Sequence, residues 1–188
     1  IAWFDAGSRS FYNSAGPINT PADVAGMRVR VMNNDLFTGM VDAMGGDGTP
    51  MAFAEVYQSL KTGVVDGAEN NFPSFESVGH FEVSKYYSLS EHLIIPECIC
   101  VNTAKFNALS PELQSELRAA AEEAAVYQRE LWTEKSEAAR KNVEAAGIVV
   151  NEIADKTPFI EAMAPVYETY LAANPDMRML VEIAQGTE

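Results

Sequence analysis

The chain has 188 residues, 47% of them hydrophobic and 21% charged, the balance of a globular domain large enough to bury a core. Its 13 basic and 27 acidic side chains leave a formal charge of −14, which argues against nucleic acid, where affinity comes largely from Lys and Arg on phosphates, and against anionic membranes. No apolar run approaches the roughly 20 residues that span a bilayer, and no basic start leads into the apolar stretch of a signal peptide.

Ile1 rather than Met opens the chain, directly in a strand-like Ile1-Ala-Trp-Phe4, so a processed or truncated start is expected. Thr20-Pro21-Ala22-Asp23 carries the marks of a helix start, with Thr20 as N-cap and Pro21 in the first turn. Met27–Met32 reads as a strand and Leu36–Met44 as a helix. Ala54–Thr62 reads as a helix stopped at Gly63, followed by a strand over Val64–Ala68 and another over Leu93–Val101. The alternation predicts an α/β fold with a mixed sheet. Cys98 and Cys100, on one face of the last strand, read as two buried thiols, since closing so small a ring strains a disulfide.

From Pro111 to Ala146 the pattern is that of one long helix, capped by Ser110 and ended by Gly147, with Leu113, Leu117, Ala120, Ala124, Tyr127 and Leu131 as its apolar stripe. At 1.5 Å per residue it would run about 54 Å, longer than a small lobe is wide, so it must bridge lobes, bend or contact another chain. Ile148–Ile153 then predicts a short strand, Thr157-Pro158 a helix reaching Ala173, and Asn174-Pro175 the start of a last helix.

The chemistry-bearing residues cluster where predicted strands end, the place where ligands bind in open α/β sheets. Arg28 and Arg30 share one face of their strand while Val29 and Val31 take the other. Arg28 reads as solvated. Asn70 closes the run Asp66-Gly67-Ala68-Glu69-Asn70 and offers both a donor and an acceptor, although an N-cap for the helix near Pro73 is the alternative, a place Asn71 or Ser74 also suits. Asp66 and Glu69 form a conceivable acid/base pair, but no nucleophile or metal arrangement accompanies them, and structural hydrogen bonds explain them better. His92 beside Glu91 reads as a structural pair, and His80 lies too far off for a metal site. Gly45-Gly46-Asp47-Gly48 lacks the Lys-Ser/Thr of a phosphate loop. No cofactor or metal is expected.

Four stretches, Pro21 through Val31, Pro50-Met-Ala-Phe-Ala-Glu-Val-Tyr57, Thr62-Gly-Val-Val-Asp-Gly-Ala-Glu-Asn70 and Asn102 through Leu117, resemble in order the solute-binding proteins of tripartite ATP-independent periplasmic (TRAP) transporters, the DctP-type family. The resemblance implies periplasmic-binding-protein-like (type II-like) lobes with mixed sheets and a long lobe-spanning helix, the N-terminal part of the family fold being absent. It divides the chain into a ligand-binding α/β lobe with part of its partner over 1–110, the spanning helix over 111–146, and a C-terminal strand and helices over 147–188. It implies a periplasmic protein, not an enzyme, that captures a small carboxylate for membrane subunits of a transporter; the length of the predicted helix, not the resemblance, adds a homodimer through it as an option.

By the same resemblance Arg30 takes the ligand carboxylate, Arg9 and Asn70 orient it, and Phe53 walls the apolar side. Asn33, Glu69 and Asn71 complete the ligand-facing set, and Asn33 and Asn34, directly after the arginine strand, are placed to reach sugar hydroxyls or to cap the next helix. Arg30-Val-Met-Asn33, Gly67 through Phe75 and Tyr86 through His92 resemble the branch associated with hexuronate-type sugar acids, with a C4-dicarboxylate or other hydroxy acid as the alternative. Rival readings from other classes are a hydrolase or lyase built on Asp66 and Glu69, and a helical dimerisation module built on the long helix.

Overall fold

The computed structural model describes residues 1–186. In chain order it contains strands β1 (Ala2–Phe4), β2 (Ser8–Asn13) and β3 (Arg28–Val31), helix α1 (Asp35–Ala43), β4 (Asp47–Pro50), α2 (Val56–Thr62), β5 (Gly67–Asn70), α3 (Phe72–Ser77), β6 (Tyr86–Ile94) and β7 (Glu97–Ile99). There follow α4 (Thr103–Asn107), α5 (Pro111–Ala145), β8 (Val149–Glu152), α6 (Thr157–Ala162), α7 (Ala164–Ala173) and α8 (Arg178–Gln185). Six strands form one mixed sheet in the order β4-β3-β5-β2-β6-β8, while β1 and β7 pair antiparallel in a second, two-stranded sheet. Among the described residues no helix is long and apolar enough to cross a membrane.

Strand alternation gives the larger sheet a core on each face. Phe11, Val29 and Val31 pack with Val41, Phe37 and Phe159 on one side, and Tyr12, Ala68 and Tyr87 pack with Phe75, Val56 and Val143 on the other. Arg30, flanked by Val29 and Val31, therefore leaves the sheet on the tyrosine side.

Several elements differ from the sequence reading. Val64 and Val65 are not a strand: both backbone N–H groups donate to the Ser59 carbonyl beyond left-handed Gly63, which ties them to the end of α2 and leaves Val64 52% exposed. Pairing begins instead at Gly67, where a Cβ would lie 2.8 Å from the Tyr12 carbonyl oxygen, so only glycine lets β2 approach. The strand expected over Leu93–Val101 breaks at Ile95-Pro96, because proline has no N–H to continue a ladder and the chain changes sheets there. β6 itself begins at Tyr86, earlier than expected. The expected Thr157–Ala173 helix is interrupted at Met163, with Pro165 in the first turn of α7. Thr20 is the N-cap as expected, but of a single 3-10 turn over Pro21–Asp23, and the Asp23 carboxylate accepts from the N–H groups of Asn19 and Thr20 and from the Thr20 hydroxyl.

Helix α5 has the predicted ends, and the Ser110 hydroxyl accepts from the Leu113 N–H. Its buried seam is not the predicted stripe. Ala121, Ala125, Ala139 and Val143 are buried, whereas Leu113, Leu117, Ala120, Ala124, Tyr127 and Leu131 are exposed. Alanine permits the close approach: Ala121 and Ala125 pack on Ala2 of the two-stranded sheet, and Val143 enters the core of the six-stranded one. The helix thus bridges both sheets. Cys98 and Cys100 are exposed rather than buried, with Sγ atoms 3.3 Å apart, because Ile99 between them takes the side of β7 that faces α5.

Candidate ligand-binding cleft

A cavity of about 760 Å³ opens where the two sheets meet, at the carboxyl ends of the parallel strands β3, β4 and β5. Its walls come from the crossover Phe4–Gly7, from Arg9, from Arg30, Met32 and Asn33, from Met51–Phe53, from Asn70 and Asn71, and from Gln128 and Trp132 of α5. The volume suits a small organic ligand. A second cavity, about 840 Å³, lies between α1 and α7 and has no basic side chain on its walls.

Arg30 is the electrostatic centre of the first cavity. It is 4% exposed, and its Nε and Nη2 donate to the Met51 carbonyl at 3.0 and 2.7 Å. A guanidinium carries five N–H donors, so three remain free among the described residues. Among the described residues no carboxylate forms an ion pair with it. Burial lowers its pKa, with the Glu69 charge acting the other way, yet a guanidinium stays protonated. The result is a buried, uncompensated positive charge on a cavity wall, which a bound anion would neutralise. The Phe53 ring lies 5.8 Å below the guanidinium carbon and faces the cavity.

Arg9 is built differently. Its Nε donates to Glu69 Oε2 at 2.6 Å, its Nη2 to Glu69 Oε1 and to the Glu69 carbonyl, and its Nη1 to Asn70 Oδ1 at 3.0 Å. Four N–H groups are spent and its charge is matched, leaving one Nη1 hydrogen. Glu69 does not reach the cavity as expected. Its carboxyl is wholly buried behind Arg9; burial would raise its pKa, but the Arg9 hydrogen bonds and His92 bring it below the ordinary value. His92 Nε2 approaches Glu69 to 3.6 Å from a bulge in β6, where Glu91 takes a left-handed φ of 45°.

Asn70 lines the cavity, and its Oδ1 is shared between Arg9 and the Asn71 N–H at 2.9 Å. Among the described residues its amide NH₂ has no protein partner. The capping alternative falls to its neighbour: Asn71 Oδ1 accepts the Ser74 N–H at 2.8 Å, and its amide donates to the Ala6 carbonyl at 2.8 Å. Asn71 therefore shapes the wall, with one amide hydrogen left without a protein partner among the described residues. Asn33 stands exposed on the rim, and Asn34, rather than Asn33, caps α1.

The structure does not join Asp66 and Glu69 as an acid/base pair. Asp66 is held on the surface by Arg28, at 2.7 and 3.0 Å, and Glu69 is consumed by Arg9. Among the described residues no group of three or more His, Cys, Asp or Glu is gathered for a metal. Sequence reasoning missed Met51, whose carbonyl orients Arg30, and the two α5 residues on the wall. Gln128 pairs its amide with both backbone groups of Asp5, at 3.0 and 2.7 Å, and Trp132 packs over Gly7. Their signal was their phase with Ala121 and Ala125 along α5.

The geometry agrees with the comparisons. A family model described as bacterial extracellular solute-binding protein, family 7 (DctP), matches residues 1–174. A crystal structure of a TRAP periplasmic solute binding protein from Roseobacter denitrificans with bound β-D-glucuronate superimposes with a TM-score of 0.96 at 68% identity, over 100% of this chain and 62% of that one. One from Sulfitobacter sp. NAS-14.1 with bound β-D-galacturonate gives a TM-score of 0.92 at 62% identity, over 96% and 60%. A solute-binding protein of Chromohalobacter salexigens is 51% identical over 188 residues, all of this chain and 56% of the relative, so the chain spans little more than half of that relative's length. The match over nearly the whole chain, with the arginine-lined cleft between two sheets, makes it a member of the DctP family of bacterial extracellular solute-binding proteins.

Proposed function

We propose that the protein containing this chain captures a sugar acid of the hexuronate type outside the cytoplasm and passes it to the membrane subunits of a TRAP transporter. The observation that carries this reading is Arg30, a buried guanidinium that among the described residues has three free N–H groups and no carboxylate partner, facing a cavity of about 760 Å³. Arg30 takes the ligand carboxylate bidentately, the free Arg9 hydrogen and the Asn70 amide orient it, and Phe53 meets the apolar face of the sugar ring. Bound glucuronate and galacturonate in the Roseobacter and Sulfitobacter relatives support that ligand class. The protein's charge of −14 does not oppose it, since distant surface charges are screened within about 8–10 Å at moderate salt.

Titration calorimetry of the full-length protein with D-glucuronate, D-galacturonate and succinate tests the reading. One-to-one binding of a uronate is expected, and binding of succinate alone would replace the ligand class. Association through α5 is favoured by its exposed Leu113, Tyr127 and Leu131, and a monomer at all concentrations in sedimentation would end that part of the proposal.

A further inference from the structure

His80 is absent from the cavity wall, yet it is almost completely buried against Phe53, which lines it. Its Nδ1 lies 2.7 Å from the Tyr12 hydroxyl, and its ring meets Phe53 edge-on, with centroids 5.7 Å apart and planes at 66°. Phe53 in turn lies 5.8 Å beneath the Arg30 guanidinium. Tyr12 is an immobile anchor: it is 1% exposed, tilted on Phe75 at 4.6 Å and parallel to Tyr87.

We propose that His80 is a positioning residue for ligand capture, clamped by Tyr12 and holding the Phe53 ring under Arg30 so that the apolar wall of the cleft is set before the ligand arrives. The proposal rests on the sugar-acid reading above. Phe53 needs such support, being 43% exposed on a 3-10 turn, with His80 as its ring partner and Arg30 above it. A wall already in place spares the ligand the entropy of ordering it.

Histidine meets two requirements here. The buried Tyr12 hydroxyl needs an acceptor, because burial pushes its pKa upward and it keeps its proton; Nδ1 supplies that acceptor. The residue under Phe53 must also add no second positive charge beside Arg30. Burial, with the Arg30 charge, brings the His80 pKa down to about 4, so the imidazole is neutral, with its proton on Nε2.

The test is a double-mutant cycle on the full-length protein, read by calorimetric titration with D-glucuronate. His80→Asn keeps an acceptor for Tyr12 but removes the ring. It should weaken binding roughly 3- to 10-fold, the scale of one edge-on aromatic contact, and should add nothing in a Phe53→Ala background. His80→Phe, which restores a ring, should recover part of the loss. Equal losses from His80→Asn in both backgrounds would overturn the proposal and leave His80 a purely structural residue.

A second readout needs no ligand. Nuclear Overhauser contacts between the Phe53 ring and the Arg30 side chain should be present in the wild-type protein and lost in His80→Asn. Their persistence in the variant would overturn the positioning role, as would imidazole ¹⁵N shifts showing a protonated Nδ1 at neutral pH. If the wild-type protein binds no uronate while these contacts behave as expected, the ligand assignment fails and the positioning of Phe53 stands.

Discussion

Replacing Arg30 separates its cost to the fold from its use to a ligand. Its Nε and Nη2 are tied to the Met51 carbonyl, which leaves three N–H groups, two on Nη1 and one on Nη2, for a carboxylate. Two charge-assisted hydrogen bonds at about 1.5–3 kcal/mol each give roughly 3–5 kcal/mol once the cost of orienting the ligand is deducted. Arg30→Met should therefore weaken uronate binding between about a hundred-fold and several thousand-fold. Arg30→Lys keeps the charge without the planar fork and should lose roughly ten- to a hundred-fold. Ligand-free stability should move the other way or hardly at all. Among the described residues the buried charge has no carboxylate partner, so removing it relieves a desolvation penalty that offsets the orphaned Met51 carbonyl, and Arg30→Met should unfold within about 1 kcal/mol of wild type. Calorimetric titration and urea denaturation of the same variants provide both numbers. Full affinity in Arg30→Met, or a loss of several kcal/mol of ligand-free stability, would refute the reasoning and make Arg9 the leading carboxylate ligand.

Glu69→Gln leaves the Arg9 guanidinium buried without its counter-charge and should destabilise the fold by roughly 3–5 kcal/mol in urea. Because the folded pKa of Glu69 lies below its ordinary value, its contribution is present above the unfolded glutamate pKa and is lost as pH falls through the folded one, so acid should destabilise wild type more steeply than Glu69→Gln. Gly7 has φ +71°, and a Cβ there would stand 3.0 Å from Trp132 Nε1; Gly7→Ala should cost about 1–3 kcal/mol and shift the tryptophan emission. The 188-residue chain by itself exposes Trp3, Leu113, Tyr127 and Leu131, so it should bind an apolar dye and scatter light as an associated species, and a compact dye-free monomer would contradict that.

Features encoded within a few residues of one another were legible in the sequence. Ser110, Pro111 and Gly147 bracket α5 because capping and chain reversal act within one helical turn. The side of β3 that carries Arg30 follows from the two-residue period of a strand, and Asn70 closes a strand, although that strand is Gly67–Asn70 rather than the expected Val64–Ala68. The motifs that indicated the family are equally local. Contacts between distant segments were not legible. That Glu69 neutralises Arg9 and leaves Arg30 unpaired depends on antiparallel register between segments 60 residues apart, with Phe11 opposite Glu69. The buried face of α5 was misjudged because apolar size marks a stripe, whereas the close approach of β1 selects alanine. Val64 and Val65 have strand propensity, but the end of α2 claims their N–H groups. Local periodicity decides which elements form; which charge is matched and which is left for a ligand is a sum over neighbours that only the folded chain brings together.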